Sequence, residues 1–534
     1  MKSNTQEVSS IILLEHPRPD DPERHQDVVN APLSANLLTP YISAVLKSHK
    51  MPAEIINANL MRWSMQQTLD EIKTKPPKLL AVHMVYVWDK TAGVFDMLSR
   101  LRVLCPRTHI SLYGFYPTFS YDNILKQFPF IDSVAIGEAE FTLLELSKSL
   151  LDDPAPETLG QIEGLAFARI DAATGERRII KNRPRVLNTE LDGLPFPDRS
   201  DMWPHEKRGI TTYVLGSRGC YGHCTFCYIN PFYTNNTSAS WRGRSAENVF
   251  QEIKTLYRDR GIRDFYFADA NFFGPGRDGK QRASQLAGLI IKDSLKIRFG
   301  IECRANDVEE QSLSRLVDAG LREVFLGIES GCQHVLNRFK KGVSIGANEG
   351  AVKTLRRLGI EPTLGFIMFH PGSTLADVRE NFEFLRKLEL LRTPAVTAHI
   401  LHHGQTFFRG TPDFQRVIEL PQTTAEPLTG YEAFCEFSDP KVAAFSEAAV
   451  SLCRGVLDML QPDDADVCNV TREDGMLAGV NELLISAYDD VLSRFEHGDN
   501  DETMEDLKQM ARRIHDETLR AVKNSLYENT GMRT

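Results

Sequence analysis

The stretch Gly216-Ser217-Arg218-Gly219-Cys220-Tyr221-Gly222-His223-Cys224-Thr225-Phe226-Cys227 follows a short apolar run, Thr211–Leu215. Its cysteines are separated by three and then two residues, in a loop that contains glycine. Thiolates so spaced can wrap one corner of an iron–sulfur cubane and leave the remaining iron open to a ligand. Zinc is a poorer match, because a structural zinc site closes with four ligands and His223 lies too near its neighbours for an ordinary finger. An apolar strand that runs into a chemically loaded loop raises the question of what surrounds it.

Downstream, the apolar runs Asp264–Ala268, Arg298–Cys303, Glu323–Ile328, Thr363–Met368 and Ala395–Leu401 alternate with helical patterns. Val249, Ile253 and Leu256 share a face after Ser245, an N-cap residue; Leu313, Leu316 and Val317 precede Gly320, a helix stop. With Thr211–Leu215 these runs make six strand–helix units, and we expect a partial (β/α)6 barrel over residues 204–425. The remainder, 426–534, reads as a helical C-terminal domain, with Lys441–Leu460 and Glu502–Leu526 as its clearest segments.

Upstream, Ser10–Leu14, Glu54–Asn57, Leu79–Met84, His109–Leu112 and Ser133–Ile136 alternate with the amphipathic stretches Ala35–Lys47, Leu69–Lys75 and Ala92–Leu104. This pattern implies a doubly wound, Rossmann-like α/β domain over residues 1–155. Between the two series, 156–203 holds a hairpin, Glu163–Ile170 with Arg177–Lys181, and a linker marked by Leu194-Pro-Phe-Pro-Asp198.

Composition narrows the function. The 534 residues are 42% hydrophobic and 25% charged with a formal charge of −10, a balance that disfavours broad nucleic-acid binding. No uncharged run approaches the roughly 18–20 residues of a membrane span, and the start lacks a secretory pattern, so a cytoplasmic protein is expected. Of the nine cysteines, Cys105, Cys303, Cys332, Cys435, Cys453 and Cys468 stand alone and read as small apolar residues.

The spacing Cys220-x-x-x-Cys224-x-x-Cys227, with Phe226 before the last cysteine, resembles the signature of the radical S-adenosylmethionine superfamily. The resemblance implies a 4Fe–4S cluster on Cys220, Cys224 and Cys227. It also implies reductive cleavage of S-adenosylmethionine to a 5′-deoxyadenosyl radical, with an electron donor such as flavodoxin or ferredoxin, or a partner reductase. Polar residues close successive barrel strands, as that reading needs. Asp269 ends the second strand, Glu302 and Arg304 the third, Glu329 and Ser330 the fourth. By resemblance Arg304 meets the methionine carboxylate, Glu329 or Ser330 the ribose or amine side, and Phe226 the adenine; Asp269 and Glu302 join them as cofactor contacts. A structural ion network is the competing account of Glu302, Arg304 and Glu329. His370 and His402-His403 follow the fifth and sixth runs, where a substrate pocket could be lined; no catalytic residue is assigned.

The N-terminal domain, Leu-Pro-x-Pro linker and barrel resemble the branch with a cobalamin-binding-like domain. Gly137-Glu138-Ala139-Glu140 matches that branch's Gly-Glu-x-Glu feature, whereas Tyr113-Gly114-Phe-Tyr-Pro117-Thr118 has tyrosine where glycine is common. His16 follows the first strand without the Asp-x-His-x-x-Gly pattern that supplies a cobalt ligand elsewhere. Tyr86, Trp88, Tyr113 and Tyr116 are expected to fill the corrin face, leaving a domain without cobalamin. The matching activity is dehydration, deoxygenation or epimerisation of a diol-bearing aminosugar in antibiotic biosynthesis. The alternative is a cobalamin-dependent C-methyltransferase acting on a small molecule. Replacing Cys220, Cys224 or Cys227 with Ala is expected to abolish cluster iron and S-adenosylmethionine cleavage, whereas Cys105→Ala and Cys453→Ala leave both intact. Iron analysis and 5′-deoxyadenosine production report the difference.

Overall fold

The computed structural model describes residues 10–18, 37–85, 91–151, 158–171, 174–200, 211–234, 241–460, 475–497 and 503–530. Strands β1 (Ile11–Glu15), β2 (Ala53–Asn57), β3 (Leu79–His83), β4 (His109–Tyr113) and β5 (Ser133–Ala135) form a parallel sheet in the order β2-β1-β3-β4-β5. Helices α1 (Leu38–Ser48), α2 (Met65–Thr74), α3 (Thr91–Leu104), α4 (Phe115–Gln127) and α5 (Glu140–Leu151) connect and cover it. β1 and β3 are buried along their whole length, as central strands covered on both faces must be. The doubly wound domain is thus seen. The expected hairpin forms too, as β6 (Leu165–Ile170) and β7 (Arg177–Lys181), but it is bonded antiparallel onto β5 and completes a seven-stranded sheet.

The second series builds a sheet of five parallel strands: β8 (Thr212–Val214), β11 (Asp264–Phe267), β12 (Arg298–Arg304), β13 (Leu321–Glu329) and β14 (Thr363–Phe366). Between β8 and β11 the chain makes a separate two-stranded ribbon, β9 (Ser217–Gly219) with β10 (Trp241–Gly243), and the short helix α6 (Ile229–Thr234). Helices α7 (Ala246–Arg260), α8 (Gly276–Lys292), α9 (Glu310–Ala319), α10 (Gln333–Arg338), α11 (Ile345–Arg357) and α12 (Leu375–Lys387) flank the sheet. α7 begins at a capped Ser245 and α9 ends at a left-handed Gly320, where the sequence puts its start and stop signals.

The run Ala395–Leu401, expected as the sixth strand, is helix α13 (Pro394–His402). Thr393 caps it by accepting from the Val396 N–H, and Pro394 occupies the first turn, a start signal that outweighs a short apolar run. A single parallel bridge from Phe369 to Gly404 sits where that strand would pair. The chain is also not helical immediately beyond Tyr431. There β17 (Glu432–Cys435) pairs with β15 (Phe407–Phe408) and β16 (Thr423–Ala425), before α15 (Pro440–Leu460), α16 (Gly475–His497) and α17 (Met504–Thr530). Between β15 and β16 lies one further short helix, α14 (Pro412–Val417). Among the described residues, no helix is long and apolar enough to cross a membrane.

β4 turns into α4 at Gly114, whose φ is +113°. A Cβ there would lie 2.3 Å from the Met84 carbonyl oxygen and 2.9 Å from the His83 ring. Gly114→Ala therefore meets both an unfavourable backbone and a backbone clash. The expected cost is about 1–3 kcal/mol, read as a lower midpoint in urea unfolding.

Candidate active site

The cluster loop leaves β9 at Gly219 and continues through Cys227 into α6. Cys220, Cys224 and Cys227 are free thiols, each partly buried, and Cys224 lies close enough to act electrostatically on the other two. Burial pushes the Cys220 and Cys227 thiols up from their ordinary range, a bias that bound iron reverses by favouring thiolate. Among the described residues no three His, Cys, Asp or Glu side chains converge tightly enough for a single ion. A cubane asks for separate thiolates on separate irons, so the donor set fits a cluster better than zinc.

Arg304, at the end of β12, reaches this loop. Its Nη1 donates to Cys224 Sγ at 3.3 Å, and its Nη2 donates to the Lys341 carbonyl. The guanidinium also lies 5.5 Å from the Tyr221 ring centre. The approach depends on Gly222, where a Cβ would stand 2.1 Å from Arg304 Nη1. Tyr221 donates to Asp307, and Asp307 accepts from Asn271 Nδ2 at 2.7 Å and the Arg304 N–H at 3.1 Å. The ends of β11 and β12 are in this way tied to the loop.

Glu329 closes β13 in the left-handed region, φ +67°, and its carboxylate accepts from Lys341 Nζ at 2.7 Å. Lys341 was not legible beforehand: Lys340-Lys341 looks like a solvated pair, yet the Lys341 side chain is only 5% exposed. Ser330 turns the other way. Its hydroxyl donates to Asn381 Oδ1 at 2.8 Å and accepts from the Cys332 N–H at 3.0 Å, so it is spent in the core. Phe226 packs edge-on against Phe339, with ring centres 5.3 Å apart, and the Thr225 N–H donates to the Phe339 carbonyl at 3.0 Å.

Asp269 is buried and its Oδ1 accepts from the Gly216 and Ser217 N–H groups at 2.6 and 3.0 Å. Its Oδ2 has no hydrogen-bond partner among the described residues, and burial raises its pKa to about 6 against the opposing charge of Arg282. Glu302 is raised further, to about 8, by burial first and then by the charge of Asp269. Neighbouring Ile301 and Cys303 belong to the core that β12 shares with the flanking helices, so by strand alternation Glu302 occupies the opposite, inner face. His370 and His402 are buried against local backbone: Nδ1 of His370 accepts from the Gly372 N–H, and Nδ1 of His402 lies 2.6 Å from the Ala398 carbonyl oxygen.

The first domain meets the loop directly. Phe115, just past Gly114, packs 4.8 Å from the Tyr228 ring and 4.3 Å from the Phe232 ring. Tyr113 does not occupy this surface as expected. It is fully buried between β4 and α1, its hydroxyl 2.6 Å from Thr39 Oγ1 and its ring stacked on His83 at 5.2 Å. Glu15 joins the same network by accepting from Thr39 and pairing with His83. Tyr116 is likewise interior, against Tyr431, while Tyr86 and Trp88 lie outside the described residues, as does Cys468. Tyr113 and Tyr116 are thus both interior side chains.

Residues 214–385 match the radical SAM superfamily model. An uncharacterized methyltransferase of Pyrococcus horikoshii is 28% identical over 304 residues, 56% of this chain and 63% of that protein. The first curated relatives are matched over 49–63% of their own length. The cobalamin-dependent S-adenosylmethionine radical enzyme OxsB, solved with aqua-cobalamin, shares the fold over 99% of this chain and 82% of its own, with TM-score 0.75 and 19% identity. The radical S-adenosylmethionine methyltransferase TsrM of Kitasatospora setae, solved with cobalamin and a 4Fe–4S cluster, aligns over 96% of this chain and 100% of its own, with TM-score 0.63 and 16% identity. Residues 214–385 thus form a radical SAM domain, and the chain as a whole shares its fold with these two solved enzymes.

Proposed function

We propose that this protein is a cobalamin-dependent radical SAM enzyme that methylates a carbon of a small-molecule substrate. The observation that carries the reading is the contact between the strand ends of the first domain and the cluster loop, at Phe115, Tyr228 and Phe232. A ligand of a doubly wound domain lies beyond the carboxyl ends of its strands, which supports a cofactor beside the loop of Cys220, Cys224 and Cys227. Cobalamin-free dehydration of an aminosugar had rested on an obstructing Tyr113, and that residue is interior. Relatives named as methyltransferases, and neighbours solved with cobalamin, support methyl transfer over dehydration.

When bound, the cluster supplies the electron that cleaves S-adenosylmethionine and the corrin carries the methyl group. The protein's own part is placement and shielding. The three cysteines hold the cluster. Arg304 brings positive charge beside Cys224, and its remaining donor capacity suits the methionine carboxylate. Glu329, steadied by Lys341, suits the amine or ribose, and the partnerless Oδ2 of Asp269 suits a cationic or hydroxyl group. On the first domain, His16 is buried with Nδ1 2.8 Å from the Pro17 carbonyl oxygen, and its Nε2 has no partner among the described residues. Gly137 turns the chain at φ +72°, and a Cβ there would stand in ordinary contact, 3.9 Å from the Phe232 carbonyl oxygen. The unpartnered His16 nitrogen supports a ligand at the end of this sheet.

Anaerobic reconstitution with iron, sulfide and hydroxocobalamin, followed by desalting, is expected to retain about one equivalent of corrin along with cluster absorbance. With titanium(III) citrate added as reductant, S-adenosylmethionine carrying a deuterated methyl group should give S-adenosylhomocysteine, with the deuterated methyl recovered in the corrin fraction. Cluster formation and 5′-deoxyadenosine release without any corrin would return the argument to direct dehydration. Arg304→Ala and Glu329→Ala should keep their iron and lose S-adenosylmethionine affinity by roughly ten- to a hundredfold, the about 1.5–3 kcal/mol of a charge-assisted contact. Calorimetric titration with unchanged affinity in both would remove them from the site.

A further inference from the structure

We propose that the Gly137-Glu138-Ala139-Glu140 turn positions the cluster loop, with Glu138 and Glu140 acting through Arg218 and Arg242. The proposal rests on Cys220, Cys224 and Cys227 being the cluster ligands. Arg218 stands two residues before Cys220, on β9, and Arg242 is its direct partner across the ribbon, on β10. The two strands are therefore the base from which the whole cysteine loop departs and to which it returns. A ribbon of three residues per strand has little stability of its own. This one also sets two guanidinium groups directly opposite each other, a destabilising pairing of like charges.

The first domain resolves that conflict. Arg218 Nη1 donates to Glu138 Oε2 at 2.8 Å and its Nη2 to Glu140 Oε1 at 2.6 Å. Arg242 donates to both oxygens of the same Glu138, which thus bridges the two arginines. Tyr41 of α1 adds its ring 5.1 Å from the Arg218 guanidinium. The four charged side chains are each at most 9% exposed, so two cations and two anions neutralise one another out of water. Forked contacts fix direction as well as distance. Glu138 and Glu140 follow β5 by three and five residues, on the domain proposed to carry the corrin. The spacing between the two platforms is thereby set by side chains that act through the arginines of the ribbon, which makes Glu138 and Glu140 positioning residues.

The test uses the full-length chain, reconstituted anaerobically, as wild type and as Glu138→Gln, Glu140→Gln and the double variant. Asp489→Asn, which removes a carboxylate from the Arg379 ion pairs that join α16 to α12, is the control for general destabilisation. Iron per chain, the electron paramagnetic resonance spectrum of the reduced cluster with and without S-adenosylmethionine, and kcat and KM for 5′-deoxyadenosine release are measured. The double variant should keep its iron, show an altered spectral response to S-adenosylmethionine, and lose about ten- to a hundredfold in kcat per cluster with a smaller change in KM. Glu140→Gln, which leaves Arg218 its contact with Glu138, should show the same effect in weaker form, and decides the matter if the double variant fails to fold. Rates per cluster and spectra equal to wild type in the Gln variants, or an equal loss in Asp489→Asn, would overturn the positioning role. A wild-type chain that assembles no cluster would instead overturn the functional reading on which it rests.

Discussion

The guanidinium of Arg304 is where three otherwise separate segments meet. It belongs to the end of β12, it touches a sulfur of the cysteine loop, and it donates to a carbonyl beyond α10. A cation this far from water persists only where acceptors surround it, and the fold supplies a thiol, a carbonyl and the face of Tyr221. Gly222 is the price of that convergence, since any side chain there would displace the arginine. Lys341 gives its carbonyl to Arg304 and its ammonium to Glu329, so the ends of β12 and β13 share one fastening.

The same reasoning extends to the boundary between the two sheets. Hydrophobic packing of Phe115 on Tyr228 and Phe232 brings the strand ends of the first domain against the loop, but apolar contact alone specifies no direction. Charged side chains removed from water tolerate few alternatives, because losing one partner strands the other. Burial of Glu138 and Glu140 opposite two arginines thus narrows the ways in which the domains can dock.

Much of this was written plainly in the chain. Alternating apolar runs and capped helical patterns revealed both α/β series, because strand and helix periods differ and Ser245 or Gly320 punctuate them. The cysteine spacing identified the loop. What stayed hidden were facts of three-dimensional partnership. Lys341 has the local sequence of a surface residue yet is buried against Glu329, and nothing in the local sequence of Ser330 announces its bond to Asn381. Tyr113 looks obstructive because it stands where glycine is common, and a local motif does not reveal that its hydroxyl meets Thr39 of α1. Ala395–Leu401 forms a helix although its short apolar run suits both states, because Thr393 and Pro394 supply a helix start.

The hairpin joined to β5 changes where the first domain can be cut. Its N-terminal half, Leu165, Ala166 and Phe167, is buried and covers what would otherwise be the open edge of β5. A fragment ending near residue 155 would expose unpaired backbone along Ser133–Ala135, an invitation to pair with another copy. As a hydrogen-bonded unit the domain extends through Lys181, so a soluble excised version has to include both hairpin strands.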